Sequence, residues 1–204
     1  MADYLDQEVG AGPHPLPWPE GDQYDPELLR DGDRRNVLDR YRYWRREAIV
    51  AELDSRRHPF HVAIENWKHD LNIGTVVRNA NAFLASAVHI VGQRKWNRRG
   101  AMVTDRYQHL EHHQTVGDFV ASMRDRDIAV VGVDNLPGAQ PIETTALPRK
   151  CVLVFGQEGP GLSREVRETA ELVLSITQFG STRSINAGVA SGIAMHSWIR
   201  QHAI

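Results

Sequence analysis

Short apolar segments alternate with stretches of helical periodicity along most of this chain, and this alternation restricts the fold more than any other feature. Predicted strands are residues 61–65, 88–91, 128–133, 151–155 and 172–176, and predicted helices are residues 74–85, 116–124, 162–169 and 185–201. Continuous apolar strands separated by helices are typical of a parallel sheet that is covered on both faces. The sequence therefore predicts an α/β fold with a parallel sheet sandwiched by helices.

Three segments place glycines or polar side chains near the ends of predicted strands. They are residues 72–81 (NIGTVVRNAN), 155–163 (FGQEGPGLS) and 176–193 (ITQFGSTRSINAGVASGI). Ligands of open α/β sheets bind outside the carboxyl ends of the strands, so these segments are candidate binding loops. The glycines of the second segment permit positive φ angles and a close approach of the backbone to a ligand.

The first and third segments also carry helix signals. Asn72 stands before a predicted helix and is expected to cap it, and Arg78 lies on the same helix face as Gly74. The third segment opens a helix rich in Gly, Ala and Ser, although each helical Gly costs about 1 kcal/mol relative to Ala. Close packing on another element, or approach of a ligand to the backbone, explains why such a helix is tolerated.

Together, these segments resemble the three motifs of the SpoU/TrmH branch of the SPOUT RNA methyltransferases. The pattern of that branch is N-x-G-x-x-x-R, then F-G-x-E-G-x-G-L, then I-P-M-x-G-x-x-x-S-L-N-V-S-x-A, and the chain follows it in order and spacing over residues 58–204. One departure is at residues 177–179, which read Thr-Gln-Phe where Pro-Met is usual. This departure falls on the loop that edges the expected cofactor pocket.

The resemblance implies a fold and a cofactor. In a SPOUT-type domain, the helix-covered parallel sheet ends in a deep C-terminal trefoil knot. That knot binds S-adenosyl-L-methionine in a bent form, largely through backbone groups. The matching cofactor-binding positions in this chain are Gly156, Gly161, Ile176 and Ile185.

The resemblance also implies a reaction, in which a methyl group passes to a ribose 2′-hydroxyl of RNA. Arg78 matches the catalytic arginine, and Asn72, Glu158, Ser184 and Asn186 match its supporting polar residues. An arginine is very rarely deprotonated at neutral pH. We therefore favour a role as a phosphate clamp that stabilises developing alkoxide charge, with Glu158 orienting the guanidinium, and leave a general-base role open.

Members of this branch are homodimers whose active site takes residues from both subunits. The closing helix of this chain is expected to contribute Ile193, Met195 and Trp198 to a symmetric interface. The same resemblance makes tRNA the favoured substrate, with the ribose at position 18 as a first candidate, and rRNA the next.

A cationic stretch between the first two motifs is the internal candidate for contact with RNA. Its basic residues are Arg94, Lys95, Arg98, Arg99 and Arg106, and aromatic residues lie among them, as in RNA-binding loops. His109, His112 and His113 have a spacing that one helical turn would bring together. We interpret them as solvated or RNA-facing histidines, and predict no metal.

The N-terminal part of the chain differs in composition from the rest. Residues 1–33 are rich in Gly, Pro and acidic residues and predict a disordered or extended lead-in, and residues 34–57 predict a basic amphipathic helix that packs on the domain or contacts RNA. The net charge is −2, but the first 29 residues contain no Lys or Arg, so the remainder is net positive. Positive charge outside the lead-in is compatible with a nucleic-acid partner.

Two further classes of protein remain as alternatives: a non-catalytic RNA-binding protein of the same fold, and a nucleotide-binding oxidoreductase. The second is disfavoured because the glycines lack the G-x-G-x-x-G order and lie late in the chain. Cys151 is the single cysteine, and no apolar stretch approaches the roughly 18 residues of a membrane span. The chain is therefore expected in the cytoplasm, away from membranes.

Overall fold

The computed structural model describes residues 10–68 and 72–204. The chain divides into two compact units, Met1–Ser55 and Arg56–Ile204. Helices α1 (Pro26–Asp31) and α2 (Arg46–Asp54) belong to the first unit, together with a 3-10 turn at Asp39–Tyr41. Among the described residues, no helix combines the length and the apolar character needed to cross a bilayer.

The first unit is more structured, and less regularly helical, than the sequence predicts. Ala11 forms an antiparallel bridge with Asp33, so the lead-in is folded from residue 10 onward, and residues 1–9 lie outside the described part. The single helix predicted over residues 34–57 is wrong, since only α2 and the short 3-10 turn form there. The backbone N–H groups of Arg35 and Tyr43 instead donate to the Asp33 carboxylate, which competes with helix formation.

Asp33 organises this unit because its side chain is fully buried. The Arg35 guanidinium donates to both carboxylate oxygens, at 2.8 and 2.7 Å, and thereby pairs the buried charge. Burial alone would raise the pKa of Asp33, but the hydrogen bonds from Arg35 and Tyr43 hold it below its usual value. Tyr43 has a φ of 63°, which ends any continuous helix at this point.

The second unit contains a seven-stranded sheet in the order β3-β2-β1-β6-β4-β7-β5, and every pairing is parallel. Its strands are β1 (His61–Asn66), β2 (Val88–Gly92), β3 (Leu110–His113), β4 (Ala129–Val133), β5 (Gln140–Pro141), β6 (Cys151–Phe155) and β7 (Leu172–Ser175), and its helices are α3 (Ile73–Ala82), α4 (Val116–Asp125), α5 (Arg164–Thr169) and α6 (Ala187–His202). The predicted parallel α/β fold is confirmed, and the two outermost strands, β3 and β5, were not predicted.

Helices cover both faces of the sheet. One apolar cluster joins the sheet to α3 and α6, and a second joins its other face to α4 and α5. Strands β1, β2 and β6 are buried along their whole length, as the apolar segments predicted. This arrangement leaves the carboxyl ends of the strands as the edge where a ligand can bind.

The small residues of α6 are explained by close packing on α3. A Cβ at Gly188 would lie 2.8 Å from the Thr75 methyl carbon, which is too close for any side chain. Asn79 Nδ2 donates to the Gly188 carbonyl and to Ser191 Oγ, both at 2.9 Å, and so ties the two helices together. The helical cost of glycine is therefore offset by contact between helices.

A row of histidines crosses β1, β2 and β3 on the face covered by α4. His61 Nδ1 lies 3.0 Å from His89 Nε2, and His89 Nδ1 lies 2.9 Å from His113 Nε2. His109, His112 and His113 do not share the helical turn that their spacing would allow, because the last two are strand residues and point to opposite faces. His109 and His112 are exposed, in line with the prediction of solvated histidines, whereas His113 is half-buried. Burial lowers the pKa of His61 to about 4 and that of His89 to about 3.

His89 and His113 also lie near Glu111, and these three side chains offer ligand atoms within 4.8 Å of one another. Both oxygens of the Glu111 carboxylate, however, accept hydrogen bonds from Arg126, at 2.8 and 2.6 Å. Hydrogen bonds between neutral rings account for the row of histidines. The prediction that this chain uses no metal stays a prediction.

The free energy of unfolding is expected to fall by a few kcal/mol between pH 7.5 and pH 5. The unfolded chain binds protons at these histidines below about pH 6.5, whereas folded His61 does so only near pH 4. The stabilisation that comes from keeping these histidines neutral is therefore fully present above about pH 6.5 and is lost as the pH falls. Urea unfolding at both pH values measures the change: His89→Gln should weaken the pH dependence, and the exposed control His196→Gln should preserve it. Equal unfolding free energies at both pH values would contradict this account.

Candidate functional site

A cleft of about 410 Å³ lies at the carboxyl ends of the adjacent strands β6, β4 and β7. Its lining comes from residues 133–136 at the end of β4, residues 155–161 at the end of β6, and part of the segment 176–190, which leads from β7 into the first turn of α6. The predicted cofactor-binding positions Gly156, Gly161, Ile176 and Ile185 all line this cleft. The structure thus brings together segments that lie far apart in the sequence.

The glycine loop after β6 is closed by its own backbone. Gln157 and Gly161 exchange hydrogen bonds between their N–H and carbonyl groups, at 3.2 and 3.0 Å. Gly161 has a φ of 71°, in the left-handed region that favours glycine. A Cβ at Gly156 would lie 2.0 Å from the Gly161 carbonyl carbon, so Gly156 cannot carry a side chain without displacing the loop.

Two carboxylates fix the end of this loop. Asp134 Oδ2 accepts a hydrogen bond from the Leu162 N–H at 2.9 Å. The Ser163 N–H donates to the fully buried Glu65 at 2.7 Å, and α5 begins at the next residue. Asp134 was not predicted from the sequence, although it directly follows a predicted strand and the same rule about carboxyl ends would have selected it.

Three of the predicted polar site residues form one hydrogen-bonded chain. Asn72 Nδ2 donates to Glu158 Oε2 at 2.9 Å, and Asn186 Nδ2 donates to Asn72 Oδ1 at 2.8 Å. Asn186 Oδ1 in turn accepts from the Gly188 N–H and caps α6. The predicted side-chain cap of α3 by Asn72 is wrong, because its amide joins Glu158 to Asn186 instead.

Arg78 lies apart from this chain of hydrogen bonds. It is exposed on α3, one turn beyond Gly74, and makes no hydrogen bond or ion pair with any residue that the structure describes. The expected pairing of Arg78 with Glu158 is therefore absent within this single chain. Ser184 is also exposed and lines the cleft between Arg183 and Ile185.

The predicted RNA-contacting residues follow β2 and are all exposed: Arg94, Lys95, Arg98, Arg99 and Arg106. Asn66 Nδ2 holds the start of this cationic stretch by donating to the carbonyls of Gln93 and Lys95, at 2.6 and 3.0 Å. A Cβ at Gly74 would lie 2.6 Å from Gly100, so the stretch packs against the first turn of α3. The cations therefore lie near the helix that carries Arg78.

Lys68 is an exposed cation that was not predicted from the sequence, and it lies on the glycine-loop side of the same edge. The Gln157 side-chain carbonyl accepts a hydrogen bond from its N–H at 2.8 Å. Neighbouring Trp67 donates its indole N–H to Glu65 at 3.0 Å. Basic and aromatic residues thus border the glycine loop as well as the cationic stretch.

This architecture defines a class of protein: a parallel α/β domain whose ligand cleft is built from glycine-rich and small-residue loops at the carboxyl ends of neighbouring strands. Residues 59–196 match the sequence pattern of the SpoU rRNA Methylase family. The match covers most of the second unit and more than half of the chain. The chain belongs to this family.

Individual relatives agree with this assignment. An uncharacterized tRNA/rRNA methyltransferase of Mycolicibacterium vanbaalenii is 33% identical over 180 residues, which is 79% of this chain and 53% of the relative. The tRNA (guanosine(18)-2′-O)-methyltransferase of Escherichia coli K12 is 26% identical, over 76% of this chain and 70% of that enzyme. The chain thus spans about half the length of the mycobacterial relative.

Solved structures show the same fold. The structure of an rRNA methyltransferase from Sinorhizobium meliloti, described as AdoMet bound, superposes with a TM-score of 0.64 at 26% identity. The superposition covers 74% of this chain and 61% of that protein.

Proposed function

We propose that this protein transfers a methyl group from S-adenosylmethionine to a ribose 2′-hydroxyl of structured RNA. Transfer RNA is the favoured substrate, with guanosine 18 as the first candidate site, and rRNA is the next; both belong to the cytoplasmic RNA pool. The observation that carries the proposal is the cleft, where the glycine loop and the residue 176–190 segment meet at the ends of β6, β4 and β7.

The cleft fits the cofactor in shape and in chemistry. Gly156 and Gly161 line its wall without side chains, and a Cβ at Gly156 would displace the loop that forms this wall. Leu136, Ile176 and Ile185 add apolar surface suited to an adenine ring. When bound, the cofactor supplies a methyl group on a positively charged sulfur, which is already a good electrophile.

The protein's part in the reaction is then alignment and charge stabilisation. The attacking 2′-oxygen must lie in line with the methyl group, and its proton would pass to solvent water as the methyl–sulfur bond of the cofactor is replaced by the methyl–oxygen bond. Arg78 holds a substrate phosphate and stabilises the oxygen as negative charge develops on it. The chain from Glu158 through Asn72 to Asn186 fixes the cleft wall relative to α3. Ser184, which lines the cleft, supplies a hydroxyl that can form a hydrogen bond with the ribose.

An active site shared by two subunits accounts for the position of Arg78, which finds no partner among the described residues of its own chain. The interface expected from the sequence needs correction, because Met195 and Trp198 are fully buried in the core of their own unit. The exposed apolar side chains of α6 are instead Val189 and Ile193, one turn apart. We propose that this pair contributes to a homodimer, and that the C-terminal segment forms the trefoil knot of the family.

Ile193→Asp is expected to convert the dimer to a monomer, because it would place a charge in an apolar interface. Sedimentation equilibrium at micromolar concentration measures the change in mass. Leu38→Asp, which alters an exposed residue of the first unit, is the control and should leave the mass unchanged. A wild-type protein that sediments as a monomer would contradict the shared active site.

Calorimetry followed by a transfer assay tests the proposal against its alternatives. The proposal predicts that S-adenosylmethionine binds and NAD does not, and that labelled methyl groups then appear in RNA. RNA binding without cofactor binding would indicate a non-catalytic RNA-binding protein. Binding of NAD instead would indicate an oxidoreductase.

A further inference from the structure

The loop between β7 and α6 is held at both ends beside the cleft. The Thr177 N–H and hydroxyl donate to the two carboxylate oxygens of Glu143, at 2.9 and 3.0 Å. At the other end, Asn135 Nδ2 donates to the Arg183 carbonyl at 3.0 Å. Proline, the usual family residue at position 177, has neither donor, so the departure from the family pattern makes this anchor possible.

Phe179 occupies the tip of this anchored loop. Its side chain is 96% exposed, more than any other large hydrophobic residue in the described part of the chain. A Cβ added to the adjacent Gly180 would meet no atom within 4 Å, so the tip extends into open space. The neighbouring Gln178 lines the cleft and Phe179 does not, so Phe179 stands directly beside the cleft with its side chain in solvent.

Charge around the ring favours a nucleic acid over an apolar partner. Arg183 lines the same cleft, is exposed, and forms no side-chain hydrogen bond or ion pair among the residues that the structure describes. An aromatic face with an available guanidinium a few residues away is the combination that binds an unstacked base and its flanking phosphate.

We propose that Phe179 stacks on a nucleobase of the RNA, either that of the methylated nucleotide or that of its direct neighbour, while Arg183 contacts the adjacent phosphate. This inference rests on the proposed function and refines its substrate class to an unpaired nucleotide in a loop or bulge. A base inside a duplex is stacked on both sides and offers no face to the ring. Stacking on Phe179 compensates for the contacts that an extruded base loses.

The test compares Phe179→Ala, Phe179→Leu and Phe179→Trp with the wild type. Loss of base stacking on an aromatic residue weakens RNA binding by roughly 5- to 150-fold. The alanine and leucine variants should therefore raise the Kd and KM for RNA by a factor in that range, with S-adenosylmethionine affinity unchanged. The tryptophan variant should restore binding, and its additional fluorescence should be quenched by RNA. Leu16→Ala, at another highly exposed apolar residue, is the matched control and should change neither constant.

Three results would overturn the inference. The first is unchanged RNA affinity in Phe179→Ala, and the second is wild-type RNA affinity in Phe179→Leu. The third is a Phe179→Ala protein that sediments as a monomer, which would show that the ring packs against a second copy. RNA binding is read without turnover, so the two proposals fail separately. Phe179-dependent RNA binding in a protein that transfers no methyl group would reject the proposed reaction and support the stacking role. A wild-type protein that binds no RNA would reject both.

Discussion

Arg78→Ala is expected to reduce the rate of methyl transfer by a factor of about 10² to 10³, the usual loss when one group that stabilises developing negative charge is removed. S-adenosylmethionine affinity should stay near normal, because Arg78 does not line the cleft. Single-turnover kinetics together with calorimetry measure the two effects separately. Arg124, exposed on α4, provides the matched control, and Arg124→Ala should preserve the rate.

If Arg78 acts as a phosphate clamp, two further results are expected. Arg78→Lys should restore little activity, because an ammonium cannot reproduce the planar, bidentate guanidinium. RNA affinity should fall in Arg78→Ala, and the salt dependence of binding should lose about one phosphate contact. A pure general-base role predicts unchanged RNA affinity and a rate that rises with pH. Near wild-type methylation by Arg78→Ala would contradict both roles and move the chemistry to Glu158 or Ser184.

Gly156→Ala is expected to abolish detectable binding of S-adenosylmethionine. Its new Cβ would lie 2.0 Å from the carbonyl carbon of Gly161, which is backbone and cannot rotate away, so the loop that lines the cleft must move. Calorimetry measures the affinity, and circular dichroism with thermal unfolding checks that the fold is retained. Gly117→Ala on α4 is the control, because its Cβ would meet only ordinary contacts of 3.7 Å or more.

Gly161→Val examines the same loop through a different contact. A Cβ there would lie 2.3 Å from Asp134 Oδ2, and the φ of 71° disfavours valine independently. Loss of cofactor affinity in both glycine variants, with a folded protein in each case, supports the cleft as the binding site. Wild-type affinity in folded Gly156→Ala would place the cofactor elsewhere.

The central strands could be predicted from the sequence because each contains a short run of apolar residues, and β1, β2 and β6 are buried along their whole length. The edge strands could not: β3 (Leu110–His113) reads Leu-Glu-His-His, and β5 (Gln140–Pro141) contains only two residues. Their pairing depends on a neighbouring strand already in place, not on a local pattern. The long N-terminal helix was predicted wrongly because the spacing of apolar residues does not reveal a local competitor. The Asp33 carboxylate accepts hydrogen bonds from the backbone N–H groups of Arg35 and Tyr43.

The candidate site, like the fold, could be predicted from the sequence only in part. The meeting of residues 155–163 and 176–193 followed from the rule about strand ends, because parallel strands bring their carboxyl ends to one edge, whereas Gly156 and Ile176 were selected within these segments by the resemblance to the family. The contacts among Glu158, Asn72 and Asn186 did not follow, since side-chain hydrogen bonds between distant segments depend on the exact packing of α3 and α6. Local reasoning predicted that the Asn72 side chain caps its own helix, whereas in the structure its amide joins Glu158 to Asn186, two residues that line the cleft.

The position of the methyl group on the RNA product is the most direct test of this account. Purified protein is incubated with S-adenosylmethionine and unmodified tRNA, and the product is analysed by nucleoside mass spectrometry and by partial alkaline hydrolysis. The account predicts a methyl group on a ribose, and therefore one phosphodiester bond that resists alkali because its neighbouring 2′-oxygen can no longer attack. A methyl group on a base, or no methyl transfer to tRNA or rRNA by a folded dimer, would contradict it.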